Sequence, residues 1–362
     1  MRNLLWLGLW LAVPARAAAQ DTTRAVTLGA FVDTYYAWDA NGAALANFDR
    51  PYVTQPARQD EFNVNLAFVE ARLSGPRVRG RLALQAGTSV VANYAGEPRT
   101  GTVAGPDLAR LIQEAVVGVR VAPALWVDAG VYFSHIGQES WISAQNPTYT
   151  RSLIAEFTPY YESGVKATWA ATPKLTAQFD VLNGWQDIAN VNRDRAVGMR
   201  LDYAVSPRLA LGYDNFIGNV APDTAPSQLR VFNEILAAVT GGRTQLWLTF
   251  DYGVQSRAPA AGTATWFGGA AIVRYAVSPK VALAGRLEDY EDRDGVIVAT
   301  PSPDGYRLAG ASFGLDVSPE AGVLWRTEVR AFAARAAVFP LHAAGAYGRR
   351  DAFIVSSLAL TF

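Results

Sequence analysis

The sequence predicts an all-β protein: a closed antiparallel transmembrane β-barrel of about sixteen strands, with fourteen and eighteen as the neighbouring even counts. Three observations predict it. Apolar and polar residues alternate from end to end, tight turns containing Pro or Gly take turns with long polar loops, and charge is confined to one face of the alternating segments.

Residues 1–19 stand apart. Arg2 gives a positive start, Leu4 to Val13 is an apolar run broken by Gly8, and Ala17-Ala18-Ala19 offers a small-x-small cleavage site after Pro14 and Arg16. This reads as a signal peptide, too short for a spanning helix. Residues 20–362 are then expected to form a single barrel domain, and no later apolar stretch is long enough for a transmembrane helix.

In a strand, successive side chains point to opposite faces. From Val78 to Val90, Val78, Leu82, Leu84, Ala86 and Val90 oppose Arg79, Arg81, Gln85 and Ser89. From Leu125 to His135, Leu125, Val127, Ala129, Val131 and Phe133 oppose Asp128, Tyr132 and Ser134. Leu175 to Val181 sets Phe179 and Val181 against Gln178 and Asp180, and Arg195 to Val205 sets Met199, Leu201 and Tyr203 against Arg200 and Asp202. Val323 to Phe332 sets Trp325 and Val329 against Arg326, Glu328 and Arg330. Glu114 and Arg120, Glu162 and Lys166, Asp214, and Arg286 with Glu288 sit in the same way on their own segments.

Tight links punctuate these segments: Ser74-Gly75-Pro76-Arg77, Ala122-Pro123-Ala124, Thr172-Pro173-Lys174, Ser206-Pro207-Arg208, Gly241-Gly242, Ser278-Pro279-Lys280 and Ser318-Pro319-Glu320. Pro presets a turn dihedral and Gly supplies positive φ, so each link is a hairpin. Longer polar stretches at 38–61, 93–107, 136–159, 187–193, 218–228, 256–264, 291–304 and 334–350 are loops. Short turns at one end and long loops at the other are the asymmetry of outer-membrane barrels.

A soluble β-sandwich also alternates, but here nearly every polar face carries charge. In hydrocarbon a sheet must close on itself to pair its backbone. Closure with the apolar face outward gathers the charges inside, where the expected water-filled lumen solvates them. One segment resists: if Phe62, Val64, Leu66 and Phe68 face lipid, Glu70 and Arg72 do so too, unless a bulge shifts the register or both lie near the periplasmic rim, where charge costs little. Aromatic residues near segment ends, among them Tyr35, Trp38, Trp126, Tyr132, Trp169, Trp185, Trp247, Trp266, Tyr290 and Trp325, are expected to form interfacial girdles.

Equal numbers of basic and acidic side chains, 32 each, argue against nucleic acid as a partner. The absence of cysteine excludes disulfides and thiolate metal sites. No phosphate-binding loop, zinc spacing or nucleophile elbow is present, so no catalytic residue, cofactor or metal is expected. Glu288, Asp289, Glu291, Asp292 and Asp294 before Gly295 lack EF-hand spacing and read as a solvated acidic loop, with Ca²⁺ binding there left open. His135 reads as an interfacial residue on the lipid face without a partner, although Ser134 beside it raises the alternative of a lipase-like barrel.

The residues also resemble a family. Asn47-Phe48-Asp49-Arg50-Pro51-Tyr52, Gln55-Pro56-Ala57-Arg58 running into Glu61-Phe62-Asn63-Val64-Asn65-Leu66, Arg81 to Thr88, Ile136-Gly137-Gln138-Glu139-Ser140, Thr150 to Glu156, Pro159-Tyr160-Tyr161 and Leu182-Asn183-Gly184-Trp185 are similar to the OmpL-like putative β-barrel porins. The resemblance covers most of the first two-thirds and fades after about residue 200. It implies an outer-membrane porin of a Gram-negative-type bacterium, of a family mostly without a defined substrate. The reading is a passive channel for small polar solutes, with weak ion selectivity expected because the lumen charge is close to balanced. The alternative is a non-channel barrel with a structural or adhesive role. The bilayer and lipopolysaccharide are the expected surroundings, and Phe362, closing the last alternating strand, resembles the signal read by the outer-membrane assembly machinery. Analogy with sixteen-stranded porins allows a homotrimer. The third long loop, 136–159, is the best constriction candidate, with Ser152-Leu153-Ile154-Ala155 packed on the wall and Arg151 and Glu156 pointing into the passage, the alternative being a solvated loop above the barrel.

Overall fold

The structure is a computed structural model and describes residues 24–41, 48–343 and 345–362. The expected signal peptide, 1–19, lies outside the described residues. Among the described residues, the chain runs as β1 Ala25–Asp39, β2 Phe62–Ser74, β3 Val78–Ala86, α1 Thr88–Asn93, α2 Pro106–Ala109, β4 Ile112–Ala122 and β5 Leu125–Phe133. After α3 Leu153–Glu156 come β6 Tyr161–Ala170, β7 Leu175–Leu182, β8 Ala196–Ser206, β9 Leu209–Asn219, β10 Leu229–Gly241 and β11 Thr244–Ser256. β12 Thr263–Ala276, β13 Val281–Asp292, β14 Tyr306–Val317 and β15 Val323–Ala334 follow, then a small hairpin of β16 Phe339–Pro340 and β17 Tyr347–Gly348, and finally β18 Arg350–Thr361. All but the small hairpin form one closed barrel of sixteen antiparallel strands, each paired with its neighbours in sequence, and β18 closes it against β1. No helix among the described residues is long and apolar enough to cross a membrane.

The period-two pattern builds this wall as the sequence predicts. Leu28, Val69, Val117, Phe179, Ile235, Leu287, Phe313 and Trp325 stand exposed on the outside, while Asp128, Asp180, Arg200, Arg286, Arg326 and Arg330 are buried inside. All the predicted tight links connect sequential strands at one end, with the long loops at the other.

Four expectations are corrected. The alternation read through to Val90 stops at Ala86: Gly87, at φ 143°, turns the chain, and α1 carries Ser89 and Val90 into the interior. That dihedral is one an L side chain rarely adopts. In β2 the pairing with β1 slips between Asp33 and Thr34, so both Asn65 and Leu66 are buried. The bulge turns Leu66 and Phe68 inward and brings Glu70 into an ion pair with Arg81. The girdle is partial. Trp38, Trp169 and Trp325 lie outside, but Tyr35, Tyr132, Trp266 and Tyr290 are buried, and Trp126 faces inward beneath the Arg79 guanidinium at 4.5 Å. Finally, much of the lumen is not solvated, because the chain between β5 and β6 folds into it.

Candidate functional site

The lumen wall is a lattice of charges joined across neighbouring strands. Arg79 pairs with Asp128, and Arg81 with Glu70 and Glu114. Arg200 lies 2.9 Å from Asp202 and 3.2 Å from Asp214. Lys166 sits over the Tyr132 ring at 4.1 Å, and the Tyr132 hydroxyl donates to Asp180 at 3.3 Å. Arg286 meets Glu288 and Glu328, Arg330 meets Glu288 at 2.8 Å, and Arg326 meets Asp316 at 2.8 Å. Arg120, near the short-turn end, is exposed, its guanidinium reaching the Pro76 carbonyl at 3.4 Å. Every polar-face residue singled out from the sequence therefore lies on the inner side of the wall, but many are spent on one another.

Residues 134–160 form an inner loop that crosses the lumen. Near its start, the Gly137 amide donates to Asp214 on β9, at 3.1 Å. Further along, the Ser143 hydroxyl donates to Asp33 on β1, at 2.7 Å. The Arg326 guanidinium donates to four loop carbonyls, those of Ser143, Asn146, Pro147 and Thr148, at 2.7–3.1 Å. Arg286 donates to the Thr148 hydroxyl and the Thr150 carbonyl, and Glu288 caps the amide of Leu153 at 2.7 Å. An irregular backbone exposes unpaired amides and carbonyls, and here the wall's charged side chains supply their partners. The short helix α3 starts at Ser152, whose hydroxyl accepts from the Ala155 amide, and it packs Ile154 near Gly268 on β12.

The expected wall packing of Ser152 to Ala155 is therefore present, but Arg151 and Glu156 do not point into open passage. Arg151 is 0% exposed. Its guanidinium lies 3.9 Å from the Tyr160 ring and donates to Thr54 of the first long loop at 2.5 Å. Glu156 accepts from the Thr54 amide and hydroxyl and from the Tyr160 hydroxyl. The partner that buries them is about a hundred residues earlier in the chain, which no local pattern encodes.

His135 is likewise corrected. The strand stops at Phe133, so the side chain turns inward and is buried, not on the lipid face. One ring nitrogen, Nδ1, lies 2.8 Å from Glu162, and the other, Nε2, lies 2.7 Å from the Asn215 carbonyl. Both partners are acceptors, so the ring carries both protons. Burial opposes that charge, yet the Glu162 carboxylate outweighs it and holds the imidazole pKa up at about 9. Ser134 donates to the same Glu162 at 2.9 Å, which leaves His135 without a free nitrogen to act as its base. His135, Glu162 and Asp180 also offer ligand atoms within 4.8 Å of one another. Lys166, facing both carboxylates, and the protonated ring already balance that group's charge.

The acidic run at 288–294 does not converge. Glu288 is inside with Arg286 and Arg330, Glu291 pairs with Arg307 at 2.8 Å, and Asp292 caps the amides of Val296, Ile297 and Val298. Asp294 pairs with Arg257.

At the long-loop end, a cavity of about 760 Å³ opens between Arg50, Tyr52, Thr54, Arg58, Thr88 and Phe157. Sequence reasoning missed Asp33, Thr54, Glu139 and Glu234. Glu139, within the inner loop, accepts from the Ser152 amide, and burial pushes its carboxyl pKa up. The inward parity of Asp33 and Glu234 on their strands is the one signal that could have found them.

A family model described as putative beta-barrel porin-2, OmpL-like, matches residues 25–362. Among solved structures, the chain is similar to the outer membrane channel DcaP of Acinetobacter baumannii, with TM-score 0.62 and 11% identity over 95% of this chain and 99% of that one. It is similar to the anion-selective porin from Comamonas acidovorans, with TM-score 0.60 and 12% identity over 94% and 100%. It is also similar to the trimer form of OmpT, an outer membrane protein of Vibrio cholerae, with TM-score 0.56 and 9% identity over 94% and 99%. At these identities the likeness shows the fold. No curated relative matches.

Proposed function

The chain belongs to the putative beta-barrel porin-2, OmpL-like family and sits in the outer membrane, and from that premise we propose that it is a passive diffusion channel for small polar solutes with weak ion selectivity. The observation that carries this reading is the division of the lumen. The inner loop narrows it, the long-loop end opens into the cavity of about 760 Å³, and charges of both signs stay partly accessible on the wall, as at Arg79, Arg274 and Asp202. Opposed charges along a passage orient dipolar solutes without strongly favouring either ion sign. Arg79, Arg81, Arg120, Lys166 and Asp202 are the proposed lining of that passage, and the inner loop is its constriction.

No chemistry is asked of the site, and no cofactor is needed for diffusion. The bilayer and lipopolysaccharide surround the apolar skin. Phe362, exposed at the end of the closing strand, presents the group the assembly machinery would read. The trimer form of OmpT supports a homotrimer for this chain.

A second reading, a barrel plugged for a structural role, is favoured by the complete burial of Arg286, Glu288 and Arg330 beneath the loop. Liposome swelling with solutes of graded size separates the two. Uptake that falls with solute radius supports the channel, and no swelling with the smallest solute supports the plug.

A further inference from the structure

The short-turn end of the barrel carries charge of one sign. Arg77, Lys174, Arg208, Arg243 and Lys280 stand on the turns β2–β3, β6–β7, β8–β9, β10–β11 and β12–β13, each directly after Pro or Gly. Glu320 is the one acid on the tight turns. All five cationic residues are exposed, and none forms an ion pair with a described residue. Arg24, at the foot of β1, is exposed as well and lies against Gly75 of the first turn. The long-loop end differs. There acids and bases are interspersed and paired, as Arg58 with Glu61, Arg99 with Asp107 and Arg257 with Asp294.

The turn cations lie along the rim. Lys174 donates to the Val205 carbonyl at 3.4 Å, Arg243 to the Val277 carbonyl at 3.3 Å and Lys280 to the Pro319 carbonyl at 2.6 Å. Each acceptor belongs to the neighbouring hairpin, so these side chains reach sideways from one hairpin to the next. A carbonyl neutralises no charge, and a Lys or Arg head keeps further N–H donors for another acceptor.

The wall itself marks their depth. Trp169, Tyr203, Tyr275 and Trp325 stand exposed on the outer face, each three residues from a tight turn. Amphipathic rings settle where hydrocarbon meets water. Three strand residues cover about 10 Å, or about 7 Å along the membrane normal for strands tilted near 45°. That distance carries the turn cations from the edge of the hydrocarbon into the headgroup layer, which is about 5–8 Å deep.

We propose that Arg77, Lys174, Arg208, Arg243 and Lys280 form a cationic collar that binds anionic phospholipid headgroups of the periplasmic leaflet, the leaflet the short turns face. Cations at headgroup depth are attracted by an anionic lipid surface within a Debye length. Their distribution favours lipid over a soluble partner. The five hairpins are spread around a closed barrel, so a compact acidic protein would reach a few of them, whereas headgroups line the whole circumference. The collar rests on the barrel's place in the outer membrane and not on conduction, so a silent barrel would still carry it.

The test reconstitutes full-length protein in mixed vesicles of phosphatidylcholine and phosphatidylglycerol, with brominated acyl chains on one lipid at a time. Tryptophan quenching then reads the relative occupancy of each lipid at the barrel surface. Phosphatidylglycerol should be preferred at least about threefold at low salt. That preference should fade between about 0.1 M and about 1 M salt, as the Debye length drops from about 10 Å to about 3 Å. The variant with Arg77→Gln, Lys174→Gln, Arg208→Gln, Arg243→Gln and Lys280→Gln should take up the two lipids equally. The long-loop pair Arg99→Gln with Arg193→Gln should keep the wild-type preference. The salt series needs no variant, so it decides the matter even where five substitutions disturb assembly. Wild-type protein without a preference at low salt, or with one that salt leaves unchanged, would overturn the proposal. So would a five-site variant that keeps the preference; if its reversal potential moved instead, the ring would belong to ion entry.

Discussion

Glu328 on β15 accepts both the amide and the hydroxyl of Thr150, each at 2.8 Å, across 178 residues of chain. One carboxylate thus satisfies two polar groups of an irregular loop segment that has no ladder to join. With Arg286 and Arg326 beside it, Glu328 turns the β13–β15 wall into a mould for the inner loop. The lumen charges, expected to meet water, here substitute for it.

The first prediction concerns that mould. Arg326→Ala removes the donor to four loop carbonyls and leaves Asp316 buried with only Arg274, 3.3 Å away. Breaking such a buried charged contact costs about 3–5 kcal/mol. The variant should melt at a lower temperature. In single-channel recordings its open level should be larger and noisier than that of wild type, because the loop is no longer pinned. Unchanged conductance and noise would show that the loop does not set the constriction.

A second prediction concerns pH. The folded-state pKa of His135, about 9, lies above the ordinary value of about 6.5. A group whose pKa is raised by folding stabilises the fold fully below its unfolded pKa and loses that contribution as pH rises through the folded one. The stability advantage of wild type over His135→Gln should therefore be full below about pH 6.5. It should shrink as the pH rises toward 9 and be absent above it. Denaturant melts of both proteins across that range check it, and a constant difference would show that the imidazole is neutral.

Gly198 on β8 gives His135 its place. A Cβ there would stand 2.4 Å from the imidazole, which Glu162 and Asn215 pin from both sides. Gly198→Ala should displace the ring and cost stability comparable to His135→Ala, and the two changes should not add. Full additivity in the melting data would contradict the contact.

Selectivity gives a fourth expectation. A passage lined by charges of both signs, as proposed, should give a reversal potential close to zero in a KCl gradient. A strong preference for either ion would mean that the passage runs along one sign of charge.

Much of the wall was legible in the sequence, because period two and turn chemistry are local. Val323 to Phe332 and the Ser318-Pro319 turn show it: each residue's face follows from its neighbours. The inner loop was legible as the third long loop, but not its contacts. Gly87 breaks an alternation that runs on in the sequence to Val90, and the bulge opposite Asp33 shifts β2 by one residue. His135 followed the strand's parity on paper, though the strand ends two residues earlier. The burial of Arg151 depends on Thr54, about a hundred residues earlier, a relation that no short segment records.

Planar-bilayer recording of the purified full-length protein tests the central claim most directly. Stepwise insertion events with a steady, ohmic current are the predicted result, since a narrowed but continuous aqueous passage conducts at both polarities. A bilayer into which the folded barrel demonstrably inserts, yet which stays electrically silent, would contradict the channel and leave a sealed cylinder.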